Sequence, residues 1–275
     1  MKYTLQSSKY ILKNFLYVFP FALFPAFFLS ISIDKGAVTS VLSTFFQGRL
    51  SAWNFSDLFR AISVLNFGSW QSVVFGIFWL LIIVPCVALM MALLEKHFRI
   101  GKRTFNGIWS KLNDNVISTC GFTVLLVSVY EIWALIAAAI LFFVSRVSIA
   151  VVAYTLSLLF LLGLHFVLLY VVGTVYLWLP CMQITGFRAL EALHYSYQLI
   201  LPVRWRVFLG QAVFLVLGET LVCIGAWFIS SALAFWGLAT AVYALLIMIF
   251  CVRMQVAYFN LDHIQRADLT YYYQR

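Results

Sequence analysis

The chain has 275 residues, of which 64% are hydrophobic and 10% charged, with a net charge of +9 and a mean hydropathy of +1.01. A soluble domain carries about 25% charged residues, so there is too little polar surface here for a water-soluble globule, and the chain reads as an integral membrane protein. Its apolar residues run in continuous blocks of roughly 20 or more, which excludes the alternating strands of a membrane barrel and leaves an all-α protein.

The first span is expected at residues 15–33. Lys2, Lys9 and Lys13 precede it as in a secretory leader. The run exceeds a leader's apolar region and no Ala-x-Ala site follows, so a retained helix kinked at Pro20 and Pro25 is expected. Residues 34–70 are weakly apolar. Ser56 and Asp57 mark a helix start, and "DLFRAISVL" follows at helical spacing, giving a short helix on the outer membrane surface. Asn54-Phe55-Ser56 fits the glycosylation triplet, a pattern common by chance.

The second span is expected at 72–94 with Pro85 inside it, and the third at 116–144 after the basic segment "EKHFRIGKRTFNGIWSKLNDN". A tight turn at "SRVS" leads to the fourth, at 149–179. Both the third and fourth exceed the roughly 20 residues needed to cross, so they should tilt or protrude. The fifth is expected at 207–229 and the sixth at 238–259, with the break near "SSALAFWG" the least defined boundary. The tail "NLDHIQRADLTYYYQR" reads as a polar surface helix. All of this makes one polytopic membrane domain over residues 1–275.

Two interruptions keep helical periodicity. In the first, Phe105, Ile108, Trp109 and Leu112 fall at i, i+3, i+4 and i+7; in the second, Leu190, Leu193, Tyr197 and Leu201 keep a similar rhythm. Amphipathic segments with basic flanks are expected to lie at head-group level as two cytoplasmic interfacial elbow helices. There Lys102, Arg103, Arg188, Arg204 and Arg206 would meet anionic head groups. With the N-terminus inside, 14 of the 18 basic residues fall on inner segments and 4 on outer ones. Both termini are therefore expected to be cytoplasmic in a multi-pass cell-membrane protein. Each elbow follows an outside-to-inside span and precedes an inside-to-outside one, so the two units would be parallel internal repeats.

Pro180, Gly186, Ala192, Ser196, Leu199 and "RWRVFLG" over 204–210 carry a resemblance. They are similar to the signature of a bacterial membrane-protein superfamily named for the membrane domain attached to some glycerophosphodiester phosphodiesterases, which includes free-standing six-span proteins. The match covers about 30 residues in detail and the six-span plan in general. Gln183 stands where an acidic residue is common, and His194-Tyr195 lies inside the elbow. The resemblance implies architecture and no reaction, because the phosphodiesterase chemistry belongs to a separate soluble barrel that this chain lacks.

Motifs with a mechanism are missing: no GxxxxGK[ST], HExxH, GxSxG or GxGxxG is present. Cys86, Cys120, Cys181, Cys223 and Cys251 form no CxxC pair and read as small buried hydrophobes. His97, His194 and His263 are scattered over the cytoplasmic face without ligand spacing. No metal or other cofactor is expected. The 27 phenylalanines among 18% aromatic residues read as lipid-facing and packing surface.

Glu131, His165 and Glu219 stand near the middle of spans three, four and five. Ionisable groups there cost roughly 2.5–3.5 kcal/mol on insertion scales for the charged types, and persist when they face the bundle interior, pair, or line a wet path. They form the candidate midplane polar centre, expected to point inward into one shared cavity; the alternative is a set of hydrogen bonds that pins helix contacts. No catalytic residue is singled out. The functional expectation is a non-enzymatic membrane protein, either a scaffold or accessory subunit or a transport or lipid-handling protein. A secondary transporter using the Glu/His centre is one alternative and an intramembrane enzyme the other. The partners expected are the anionic bilayer and a membrane or cytoplasmic protein, with no nucleic acid, since the basic residues sit beside apolar spans.

Overall fold

The computed structural model describes residues 2–269 and is all-helical. In chain order the helices are α1 (Lys2–Lys13), α2 (Phe15–Ser32), α3 (Lys35–Phe46), α4 (Phe55–Ile62), α5 (Trp70–Ile100), α6 (Ile108–Val144), α7 (Ala150–Thr174), α8 (Trp178–Thr185), α9 (Ala189–Ile200), α10 (Arg204–Phe228) and α11 (Ala232–Leu261). Among the described residues six stretches are long and apolar enough to cross a membrane: α2, α5, α6, α7 with α8, α9 with α10, and α11. Each expected span has its helix.

The bundle has a dense half and a loose half. Of the apolar stretches of α2, α5 and α11, 44–50% is buried, against 17–28% for the other three. The dense half follows from small residues on α2. Ala22 and Ala26 are fully buried, and with no long side chain between them the flanking helices approach closely. Met90, Met91, Leu94 and Phe98 of α5 then meet Met248, Val252, Tyr258 and Phe259 of α11 in one cluster. Pro20 and Pro25 lie inside α2 as the sequence expects. Asn260 donates to Gln6 at 3.0 Å, so the described chain ends meet at one end of the bundle, hereafter the terminal end.

Four expectations change. The first elbow is not a separate helix: Ile108, Trp109 and Leu112 form the opening turns of α6, which runs unbroken to Val144, and Phe105 packs in the preceding loop against Tyr17. No proline interrupts that stretch, and Gly121 alone leaves the backbone ladder intact. At roughly 55 Å, α6 outreaches a hydrocarbon core of about 30 Å, so its first, polar turns extend the span. The Glu95 carboxylate ties them down by binding Arg99 (3.1 Å) and Lys111 (3.7 Å).

The second interruption does hold a separate helix. Gly186, at φ 73°, ends α8, and a 3-10 turn containing Pro202 separates α9 from α10. α9 buries Ala192, Ser196 and Ile200 and leaves Leu190 and Tyr197 outside, and Leu201 just past its end is outside as well. The two units expected to repeat therefore differ in build, one joined by a loop and the other by two short helices.

Beyond α2, α4 confirms the short helix around "DLFRAISVL", starting at Phe55 after Asn54. α3 was not expected, because its serines and threonines blur the apolar period; Asp34 caps it by accepting from the Ala37 N–H at 3.0 Å. The tail also differs. Past Leu261 the chain turns back at His263 (φ 53°) and buries an Arg266–Asp268 ion pair of 2.8 Å, with the guanidinium 4.2 Å from the Phe98 ring centroid. Gly101 makes the crossing possible, because a Cβ there would stand 3.0 Å from the Ala267 carbonyl oxygen. The tail residues from 270 onward lie outside the described part.

Candidate functional site

The structure pairs two of the three centre residues directly and binds the third to a loop. His165 Nε2 lies 3.0 Å from Glu219 Oε2, linking α7 to α10. The other ring nitrogen, Nδ1, lies 2.8 Å from the Leu161 carbonyl oxygen and so donates to it. With Nδ1 protonated, one further proton sits on the contact with Glu219, as imidazolium against carboxylate or as imidazole accepting from the acid. The Trp133 ring stands edge-on to His165 at 4.8 Å, and its N–H donates to the Leu164 carbonyl at 2.8 Å.

Glu131 is held elsewhere. Its Oε2 accepts from the Ser63 hydroxyl at 2.6 Å, and its Oε1 accepts from the Val64 and Leu65 N–H groups at 2.9 Å each. The loop after α4 thus folds onto the carboxylate, while Tyr130 next door donates to the Ile62 carbonyl at 3.0 Å. The expected depth changes with the helix. α6 begins at Ile108, so Glu131 stands roughly 35 Å along it and roughly 20 Å from its far end. Glu131 thus binds a loop, His165 binds Glu219, and none of the three is among the residues that line the apolar cavity between the helices.

That cavity has a volume of about 350 Å³, is about half open to the bundle's surface, and lies where the dense half meets the loose half. Its walls are almost wholly apolar, from Trp79 and Ile83 on α5, Leu126 and Tyr130 on α6, Leu168 on α7, Phe214 on α10 and Ile247 on α11. Two polar side chains at its terminal end break that pattern. Arg253 of α11 is 2% exposed and Gln211 of α10 is 8% exposed. The Arg253 Nη2 donates to the Arg206 and Val207 carbonyl oxygens at 3.1 and 2.9 Å, but Nε has no partner. None of the ion pairs among the described residues includes Arg253. Neither the nitrogen nor the oxygen of the Gln211 amide is hydrogen-bonded. Gly210 makes this arrangement fit: a Cβ on it would stand 2.2 Å from Arg253 Nη2 and 2.5 Å from Cζ. The guanidinium therefore rests on bare α10 backbone, beside Gln211, with its Cζ 5.8 Å from the Tyr176 ring centroid.

A second, more polar crevice of about 480 Å³ runs between α6 and α8, and Phe122 lines both. There Gln183 donates to the Thr119 hydroxyl at 2.9 Å. The expected head-group residues gather around the terminal end. Lys102, Arg103, Arg188 and Arg206 are exposed. Arg103 donates to the Lys13 carbonyl at 3.3 Å, and Arg204 to the Tyr170 hydroxyl at 3.2 Å. Among the described residues no group of His, Cys, Asp and Glu is arranged to hold a metal.

Sequence reasoning missed the cavity pair. Arg253 carries the same sequence signal as Glu131, a lone charge inside an apolar run. Gln211 carried no signal by itself, because its unpaired state depends on helices far away in sequence. Compared with known proteins, the chain matches no family model, no curated protein and no solved structure.

Proposed function

We propose that this chain is a non-enzymatic membrane protein of the lipid-handling or transport kind, which holds an apolar or amphiphilic molecule inside its bundle. The central cavity carries this reading. Its volume falls at the small end of the roughly 300–1,000 Å³ range of ligand pockets, and apolar walls with a few polar groups are what such pockets present. We place both termini and α9 on the cytoplasmic side. The basic-residue bias supports this, and so does α9's exposed Leu190 and Tyr197 beside Arg188, which suits a helix resting at head-group level. The likeness of residues 180–210 to the phosphodiesterase-linked membrane domain belongs to the same proposal.

A photoreactive long-chain alcohol tests the reading, because it is apolar and has no charge of its own. The expected result is crosslinking to Leu168, Phe214 and Ile247, reduced when Leu215→Trp fills the cavity. Crosslinks confined to the outward-facing Leu158 and Leu162 of α7, with none in the cavity, would reject it.

A further inference from the structure

We infer that the occupant is a single-chain amphiphile with an oxyanion head, a carboxylate or a phosphate, whose head sits on Arg253 and Gln211 and whose chain lies against the apolar wall. This rests on the reading that the cavity holds a ligand. The first ground is the state of Arg253. A guanidinium stays charged under all conditions met by a protein, and a charge taken from water without a counter-charge is costly. Arg253 is buried in the membrane helix α11, and among the described residues no carboxylate is paired to it and its Nε is unpartnered. Two backbone carbonyls satisfy Nη2 alone. A planar guanidinium with open donors matches an oxyanion in shape and charge.

Gln211 is the second and independent ground. Both ends of its amide lack a partner although it is more than nine-tenths buried and lines the cavity. Its NH2 group supplies further donors to the same oxyanion, and its oxygen accepts from a head that retains a proton. Gly210, immediately before it, keeps the guanidinium and this amide at one level of α10.

The third ground is the contrast with the rest of the lining. Past these two residues the wall is mostly hydrocarbon and aromatic up to Val64 and Tyr130, with the Thr123 hydroxyl and the unpartnered Trp79 N–H as isolated uncharged polar groups, which suits a chain and repels a second charge. The volume of about 350 Å³ suits one chain better than two. Arg253 stands roughly 12 Å from the end of α11, so the head lies nearer the terminal end and the chain points toward the bundle centre.

Trp79 lines the cavity and reports on it. In the purified full chain, 11-bromoundecanoate and 11-bromoundecanol are titrated as quenchers at alkaline pH, with Trp79→Phe isolating the signal of that residue. The acid is expected to bind about tenfold more tightly than the alcohol. Arg253→Met and Gln211→Leu should each bring that ratio toward one while changing the alcohol's affinity less than about twofold. If Arg253 were only a clamp on α10, neither variant would alter the ratio. Displacement by dodecanoate or by dodecyl phosphate supports the proposal and identifies the head, and displacement by neither overturns it. A ratio of one in the unaltered protein also overturns it but leaves the cavity reading standing, whereas failure of both quenchers to reach Trp79 defeats both readings. Gln211→Leu removes no protein hydrogen bond, so it remains informative if Arg253→Met does not fold.

Discussion

Glu131 and Arg253 are both ionisable residues within membrane helices, and the chain treats them in opposite ways. Three donors from one loop, the Ser63 hydroxyl and the Val64 and Leu65 N–H groups, saturate the Glu131 carboxylate. Arg253 receives two carbonyls on one nitrogen, no counter-charge from the described residues, and an apolar cavity beside it. A charge whose hydrogen bonds all close on the chain itself acts as a staple, here fastening the loop after α4 to α6. Arg253, by contrast, keeps a guanidinium nitrogen, Nε, without a partner on the chain. The His165–Glu219 pair lies between these cases, closed on itself but with Glu219 partly exposed.

The sharpest way to break this contrast is to remove the staple. Glu131→Ala strands three donors, at about 1–3 kcal/mol for each one buried, so a total loss of about 3–5 kcal/mol is expected in denaturant titration of the purified protein. Glu131→Gln keeps an acceptor for the two N–H groups and should lose only about 1 kcal/mol. Neither should change the preference for the anionic quencher. Gly210→Ala attacks the other side. Its Cβ would overlap the guanidinium, so a loss of about 1–3 kcal/mol is expected together with a collapse of the acid-to-alcohol ratio. Stability loss with an intact ratio would separate Arg253 from binding.

Smaller effects sharpen the comparison. A double-mutant cycle on His165→Phe and Glu219→Leu should give a coupling of about 0.6–1.7 kcal/mol, the ordinary scale for one hydrogen bond between membrane helices. A coupling several times larger would return this pair to the centre of the function. The smallest effect has the opposite sign: Gln211→Leu should stabilise the ligand-free protein by about 1 kcal/mol, because it removes two buried unpaired polar atoms. Destabilisation would mean that Gln211 serves the fold.

Most of the span plan was legible in the sequence. Apolar blocks at 15–33 and 149–179 hardly need tertiary context, since length and hydropathy decide them. The helical period of the segment that became α9 was legible too, whereas its break at Pro202 was not read. Where the outcome depended on contacts between distant segments, reading failed. Nothing local shows that the chain past Leu261 buries Arg266 against Phe98, or that residues 63–65 reach Glu131. The first elbow failed differently: its amphipathic period was real, but it belonged to the start of a longer helix. The candidate site was half legible, because charge inside an apolar run marks a residue worth explaining and only the fold shows whether its bonds are closed.

Native mass spectrometry of the protein purified in neutral detergent tests the central claim most directly, because it detects what the cavity holds without choosing a probe. The expected result is a bound mass of one single-chain anionic amphiphile per chain, retained by the unaltered protein and by Glu131→Gln but lost from Arg253→Met. No bound species, or the same species at the same occupancy in Arg253→Met, would contradict the account.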